Sequence, residues 1–383
     1  MRLSVIAPSV WLSTVCLLGR AVSALSDDDL RHIPSVGDDF NIKTGKLLAP
    51  ILIPRVPGTE GQIKTQEHFA NFFKSELPDW TLTWQNSTSK TPVSGNKDVP
   101  FNNMIFHRDP HWTSAGDTAR LTLVAHYDSK YSPEGFIGAT DSAAPCAMLL
   151  HVARSIDKAL TEKWKKMEQN GEADPSLEAA AGVQIMFLDG EEAFLQWTDD
   201  DSLYGARSLA ESWEQEFHPT FSTFRTKLSS ISLFVLLDLL GAPNANVPSY
   251  FLTTHWAYRK MADLEKRLRD LGLLEAKARK PFLPDAEKKS EEFRYSSGIQ
   301  DDHIPFMRRG VDILHMIAYP FPPVWHTMDD DGEHLDIFVT KDWAKIVTAF
   351  AAEWLELDGL LQKPETPSKR TETTPLSSER TEL

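Results

Sequence analysis

The chain has 383 residues, 41% of them hydrophobic and 10% aromatic, enough to bury one large core or two modest ones. Its formal charge of −15 comes without any Lys/Arg-rich stripe, which excludes nucleic acid as a partner because phosphate neutralisation needs one. With only two cysteines, Cys16 and Cys146, no disulfide framework can hold the fold together.

At the N-terminus Arg2 precedes an apolar stretch running to Leu18, followed by the small residues Val22-Ser23-Ala24, the pattern of a signal peptide over residues 1–24. The alternative is a membrane anchor. That needs about 20 uninterrupted apolar residues, and Gly19 and Arg20 break the run. The expectation is therefore a chain of the secretory pathway, secreted and without a membrane span, whose mature Cys146 has no intramolecular partner. In that setting Asn86-Ser87-Thr88, in a polar stretch rich in turn residues, is a glycosylation sequon.

Further on, apolar periodicity predicts an amphipathic helix with Phe69, Phe72 and Phe73 on one face, strands near 80–85 and 101–107, and then the strand within ARLTLVAHYDS. VQIMFLD, ISLFVLLDLL and DILHMIA are nearly continuous apolar runs, as central strands covered on both faces should be. Helical patterns cover 142–156, 203–217, 256–273 and 341–357. This alternation predicts an α/β fold: one domain over residues 25–360, with a mostly parallel central sheet flanked by helices on both faces. Segments 163–182 and 275–297 are charge-rich and read as surface loops or loosely attached helices. The tail, 361–383, has almost no apolar content and reads as disordered. No internal repeat is present.

Open α/β sheets bind ligands beyond the carboxyl ends of their strands. His126 and Asp128, Glu191 and Glu192, and Asp238 fall at three such ends. With Asp141 and His326 they form a mixed carboxylate and imidazole set of the kind Zn²⁺ accepts in a catalytic site. Singly each has a plainer explanation; Asp141, for instance, could cap the helix after it. In FLDGEEAFLQW, however, two adjacent glutamates sit between apolar flanks, and unpaired charge beside a core is costly. Where a strand turns, one such side chain can bind a metal while its neighbour faces the substrate as general base.

The blocks DGEEAFLQW, DSLYGARSLA, LLDLLGAP, IQDDHIPFMRRG and FPPVWHTMDD, with HYDSK and GATDSA, closely resemble the glutaminyl-peptide cyclotransferases, the glutaminyl cyclases of the animal and fungal type. The resemblance spans most of the chain and implies a zinc aminopeptidase-like fold. It implies an enzyme that cyclises N-terminal glutamine, and more slowly glutamate, of peptides and proteins to pyroglutamate, glutamine losing ammonia. One Zn²⁺ per chain would be held by Asp141, Glu192 and His326, with Glu191 as general acid/base. Asp238 and Asp301 would form a short acid network beside it with His315 nearby, and Trp197, Ile299, Gln300, Phe321 and Trp325 would line the substrate slot. The chain departs from the secreted animal members at Ala125, where they carry a cysteine that pairs with the one at Cys146. Residues before 60 match no recognisable motif. The partners expected are peptides or proteins with N-terminal glutamine, and the enzyme is expected to act as a monomer.

Two other readings stay open. A two-zinc aminopeptidase would use His126 and Asp238 as further ligands around a bridging Asp141. A binding protein on the same fold would need no intact centre, yet none of Asp141, Glu191, Glu192 and His326 is lost.

Overall fold

A computed structural model describes residues 24–174, 180–295 and 298–361. The signal-peptide and tail readings lie outside these residues, apart from Ala24 and Leu361. The strands are β1 (Thr81–Ser89), β2 (Val99–Arg108), β3 (Arg120–His126), β4 (Gly182–Leu188), β5 (Ile231–Asp238) and β6 (Ile313–Ile317). The α-helices are α1 (Asp27–His32), α2 (Glu60–Glu76), α3 (Ala144–Gln169), α4 (Tyr204–Gln215), α5 (His255–Asp270), α6 (His303–Met307) and α7 (Ile337–Trp354).

All six strands form one sheet in the order β1-β2-β4-β3-β5-β6. β4, β3, β5 and β6 run parallel, and the β1–β2 hairpin adds an antiparallel edge. Because successive side chains point to opposite faces, Leu121, Leu123 and Ala125 of β3 join a core under α2, α3, α5 and α7, whereas Val124 faces the smaller core under α4 and α6. The sheet is thus covered on both sides, as its apolar strands require. Asn86 lies exposed on edge strand β1 opposite Asn102, on a strand where a turn was expected.

Three segments differ from the sequence-based expectation. Helix α3 runs on to Gln169 instead of stopping near 156, because Leu160, Trp164 and Met167 continue its apolar face and are buried. Lys163 buries its stem and donates to Leu355 O at 2.7 Å, so charge there marks no surface loop. Within segment 275–297, the part around Phe282 is likewise bound to the body. Phe282 is fully buried and stacks on Trp343, and the Glu265 carboxylate accepts the backbone N–H of Phe282 (2.8 Å) and Leu283 (2.9 Å). Glu265→Ala orphans both buried donors and is expected to lower unfolding free energy by roughly 2–4 kcal/mol, readable by urea denaturation; an unchanged midpoint would refute the clamp. Helix α7 begins at Ile337, four residues before the apolar pattern suggested, because Asp336 caps it through the N–H groups of Phe338 and Val339.

The motif-free stem also belongs to the main core, through Leu25, Leu30, Phe40, Leu47, Leu48 and Ile51. Arg55, 1% exposed, then passes beneath the sheet's carboxyl edge. Its guanidinium donates to the carbonyls of Ile51 (2.8 Å), Ile53 (3.0 Å), Tyr127 (2.7 Å), Asp128 (3.4 Å), Ile137 (2.6 Å) and Gly138 (3.2 Å). It therefore ties the stem to the loop after β3 and to the turn that carries Asp141. No described helix is long and apolar enough to cross a membrane.

Candidate active site

A cavity of about 740 Å³ opens at the carboxyl ends of the parallel strands. Asp141, Glu191, Glu192, Trp197, Asp238, Ile299, Gln300, Phe321, Trp325 and His326 all line it. Asp301 and His315 lie behind its wall, nearly fully buried.

Local structure explains how the acidic pair is presented. β4 ends at Leu188, and Gly190 takes φ +71° where a Cβ would collide with the Phe101 ring, so only glycine turns the chain here. Asp128, completely buried, accepts the backbone N–H of Glu191 on one oxygen and that of Glu192 on the other, each at 3.1 Å. The dipeptide is held by its backbone, which leaves both side chains free for the cavity.

Asp141, Glu192 and His326 each offer one ligand atom, all within 4.8 Å of one another. His326 Nε2 stands 3.4 Å from Asp141 Oδ2 and 3.4 Å from Glu192 Oε1, and the latter oxygen is buried without a hydrogen-bond partner. Two carboxylates, one imidazole and an unpaired buried lone pair fit a divalent metal of zinc's preferences, with a position left toward the cavity. His326 itself sits at φ +56°, a left-handed conformation rare for a side chain of this size and consistent with a functional demand.

A second group, His126, Asp141 and Asp238, adjoins the first. His126 Nε2 is 3.0 Å from Asp141 and 3.5 Å from Asp238, while Nδ1 is 3.3 Å from Asp128. The expected acid network takes a different form from a direct aspartate pair. Asp238 accepts the Ser142 hydroxyl, and Asp301 accepts the His315 ring N–H at 2.7 Å. The two aspartates meet through charge: burial, then Asp141, then Asp301 raise Asp238.

Aromatic groups frame the opening. Trp325 stacks on His326 at 3.8 Å and meets Phe321 edge-on at 4.7 Å. Across the mouth the Trp197 indole N–H donates to Gln300 Oε1 at 2.7 Å, which fixes the ring.

The Peptidase family M28 profile matches residues 110–351. Bos taurus glutaminyl-peptide cyclotransferase is 39% identical over 316 residues, covering 81% of this chain and 81% of its own. The Drosophila melanogaster glutaminyl-peptide cyclotransferase is 37% identical over 337 residues, covering 87% and 86%. Glutaminyl cyclase of Macrostomum lignano superposes with a TM-score of 0.69 at 30% identity, covering 87% of this chain and 94% of that one. This chain is a member of the glutaminyl-peptide cyclotransferase family within peptidase family M28. A Zn-dependent exopeptidase from Parabacteroides distasonis, at 20% identity and TM-score 0.53, shares the fold alone.

Burial and neighbouring charge set the proton affinities at this cyclotransferase centre. Burial raises Glu191 well above the usual carboxylate range against the pull of His126, and the charges of Asp301 and Glu192 add to it. Glu192 is raised by burial and by Asp141. Burial would lower His326, but Asp141 and Glu192 lift it to about 9. A cation at Asp141, Glu192 and His326 would compete with protons for the same atoms.

Several participants escaped the sequence reading. Ser142 holds Asp238, and Lys130 Nζ lies 3.4 Å from Glu192 Oε2. Asp330 accepts Thr140 N–H (2.7 Å) and hydroxyl (2.9 Å), and its own carbonyl accepts Ala139 N–H, pinning the Asp141 turn to the His326 loop. Asp330 is the last residue of FPPVWHTMDD, four positions after His326. Cys146 is free and buried, its Sγ 3.2 Å from the His126 carbonyl oxygen.

Proposed function

We propose that the protein converts N-terminal glutamine, and more slowly glutamate, of peptides and proteins to pyroglutamate, glutamine losing ammonia, with one zinc ion held by Asp141, Glu192 and His326. The observation that carries this reading is the placement of Glu191: a cavity-facing carboxylate, with raised proton affinity, one residue from a three-donor cluster and facing an aromatic slot.

Cyclisation requires the α-amine nitrogen to attack the γ-carbonyl carbon, forming the lactam C–N bond as the bond to the side-chain amide nitrogen breaks. Bound at the cluster, Zn²⁺ supplies Lewis-acid polarisation of that carbonyl. Glu191 accepts the proton the amine nitrogen loses and returns it to the departing nitrogen, which leaves as ammonia. A raised proton affinity suits a group that must hold the proton between the two events. Asp301, kept ionised by His315, raises that affinity from behind, while Ser142 holds Asp238 at the cavity wall. Trp197, Ile299, Gln300, Phe321 and Trp325 position the glutaminyl side chain and exclude water, which the reaction does not need.

Trp325 is 37% exposed and contributes little to the core. Trp325→Ala is expected to reduce kcat/KM by about tenfold or more, from lost apolar contact with substrate, with an unchanged melting temperature. A large loss of melting temperature with full activity per folded molecule would make it a packing residue instead.

The second cluster favours the rival hydrolase, in which His126 and Asp238 bind another zinc. Against it, the Ser142 hydroxyl already donates to Asp238, and the aromatic side chains of Trp197, Phe321 and Trp325 on the cavity wall suit a glutaminyl side chain more than a metal-bound water. Elemental analysis of protein prepared without added metal is expected to give one zinc per chain. Two tightly held zinc ions, with aminopeptidase activity rising as the second site fills, would overturn the cyclotransferase reading.

A further inference from the structure

Behind the cavity wall lies a group of ligand-type side chains that the proposed reaction uses only in part. Asp301, His303 and His315 each place a ligand atom within 4.8 Å of the others, and none is more than 2% exposed. Asp301 and His315 already bond to each other. His303 is different, since neither Nδ1 nor Nε2 has a hydrogen-bond partner, whereas buried polar atoms are nearly always paired. Its ring packs on His315, centroids 4.3 Å apart, and on Phe251. Burial, and next the charge of His315, push His303 down to about 3, so it is neutral and its lone pair is available. Beside it Asp302 is fully buried with both carboxylate oxygens unpartnered, and burial, then the charge of Asp301, raises it well above the usual carboxylate range.

Two imidazoles and a carboxylate make a donor set that Zn²⁺ accepts. We propose that Asp301, His303 and His315 form a second, weaker divalent-cation site, and that excess Zn²⁺ filling it inhibits the enzyme. It is weaker than the Asp141, Glu192 and His326 site because the ion must displace the Asp301–His315 hydrogen bond. Inhibition rests on the proposed function, which uses Asp301 and His315 behind the cavity wall; binding does not. An ion there draws both side chains out of the hydrogen bond that holds them in place.

The test titrates Zn²⁺ into metal-free protein, counting bound ions by native mass spectrometry and following cyclase activity. Wild type is compared with His303→Gln and with His303→Phe, whose ring keeps the contact with Phe251. Wild type is expected to show two affinity classes, activity rising with the first ion and falling by about tenfold or more with the second. Both variants are expected to keep the first class and its activity, and to lose the second class together with the inhibition. A single class in wild type, or a second class unchanged in both variants, would overturn the site. Two classes without loss of activity would overturn the inhibition. Absence of cyclase activity at every zinc level would contradict the proposed function, while the ion counts still decide the site.

Discussion

Glu191→Gln is expected to lower turnover by about a hundredfold or more, the usual scale for losing a general acid/base, while the fold and the zinc content stay as they are. The backbone argues for this selectivity. Asp128 holds the Glu191 position through its N–H, which glutamine keeps, and no hydrogen bond of the Glu191 carboxylate braces the fold. The amide cannot take the proton from the attacking amine. Glu192→Gln differs in kind: its carboxylate faces His326 at 3.4 Å, so the expected first loss is zinc affinity. Metal content and steady-state rates of the two variants decide this together. Equal zinc retention in both, or near-normal turnover in Glu191→Gln, would sink the division of labour.

Arg55→Met is expected to destabilise the fold by about 3–5 kcal/mol or to prevent folding, the scale found when one partner of a buried charged network is removed. The residue carries no catalytic chemistry. Its guanidinium satisfies six carbonyl oxygens on three segments. Methionine fills similar volume and restores no donor. Because two of those carbonyls flank the turn before Asp141, zinc affinity is expected to fall in whatever fraction folds. Thermal unfolding and zinc titration read the two effects; a stable variant with wild-type affinity would show the network to be dispensable.

The catalytic edge was legible in the sequence because strand ends announce themselves. VQIMFL and ISLFVLL are apolar runs that stop at charged residues, and the sheet then brings those charges to one cavity. Local patterns also gave the five longer helices, though not their ends, and missed the short α1 and α6: α3 extends to Gln169 because Trp164 and Met167 pack on one face despite the lysines between them. What stayed hidden depends on contacts distant in sequence. Arg55 bonds carbonyls that are 72 to 83 residues away, and nothing in its own neighbourhood marks it. Ser142 and Asp238 are 96 apart, and Asp330 reaches Thr140 across 190 residues. Polar groups of this kind, paired to backbone or to one another, leave no periodicity to read.

The most direct measurement is to incubate the zinc-loaded protein with a dipeptide bearing N-terminal glutamine and follow the product by mass. The expected product is one lactam-bearing dipeptide, lighter than the substrate by one ammonia, with the peptide bond intact. Free glutamine and the released second residue, with no ammonia lost, would contradict the account and make the protein an aminopeptidase.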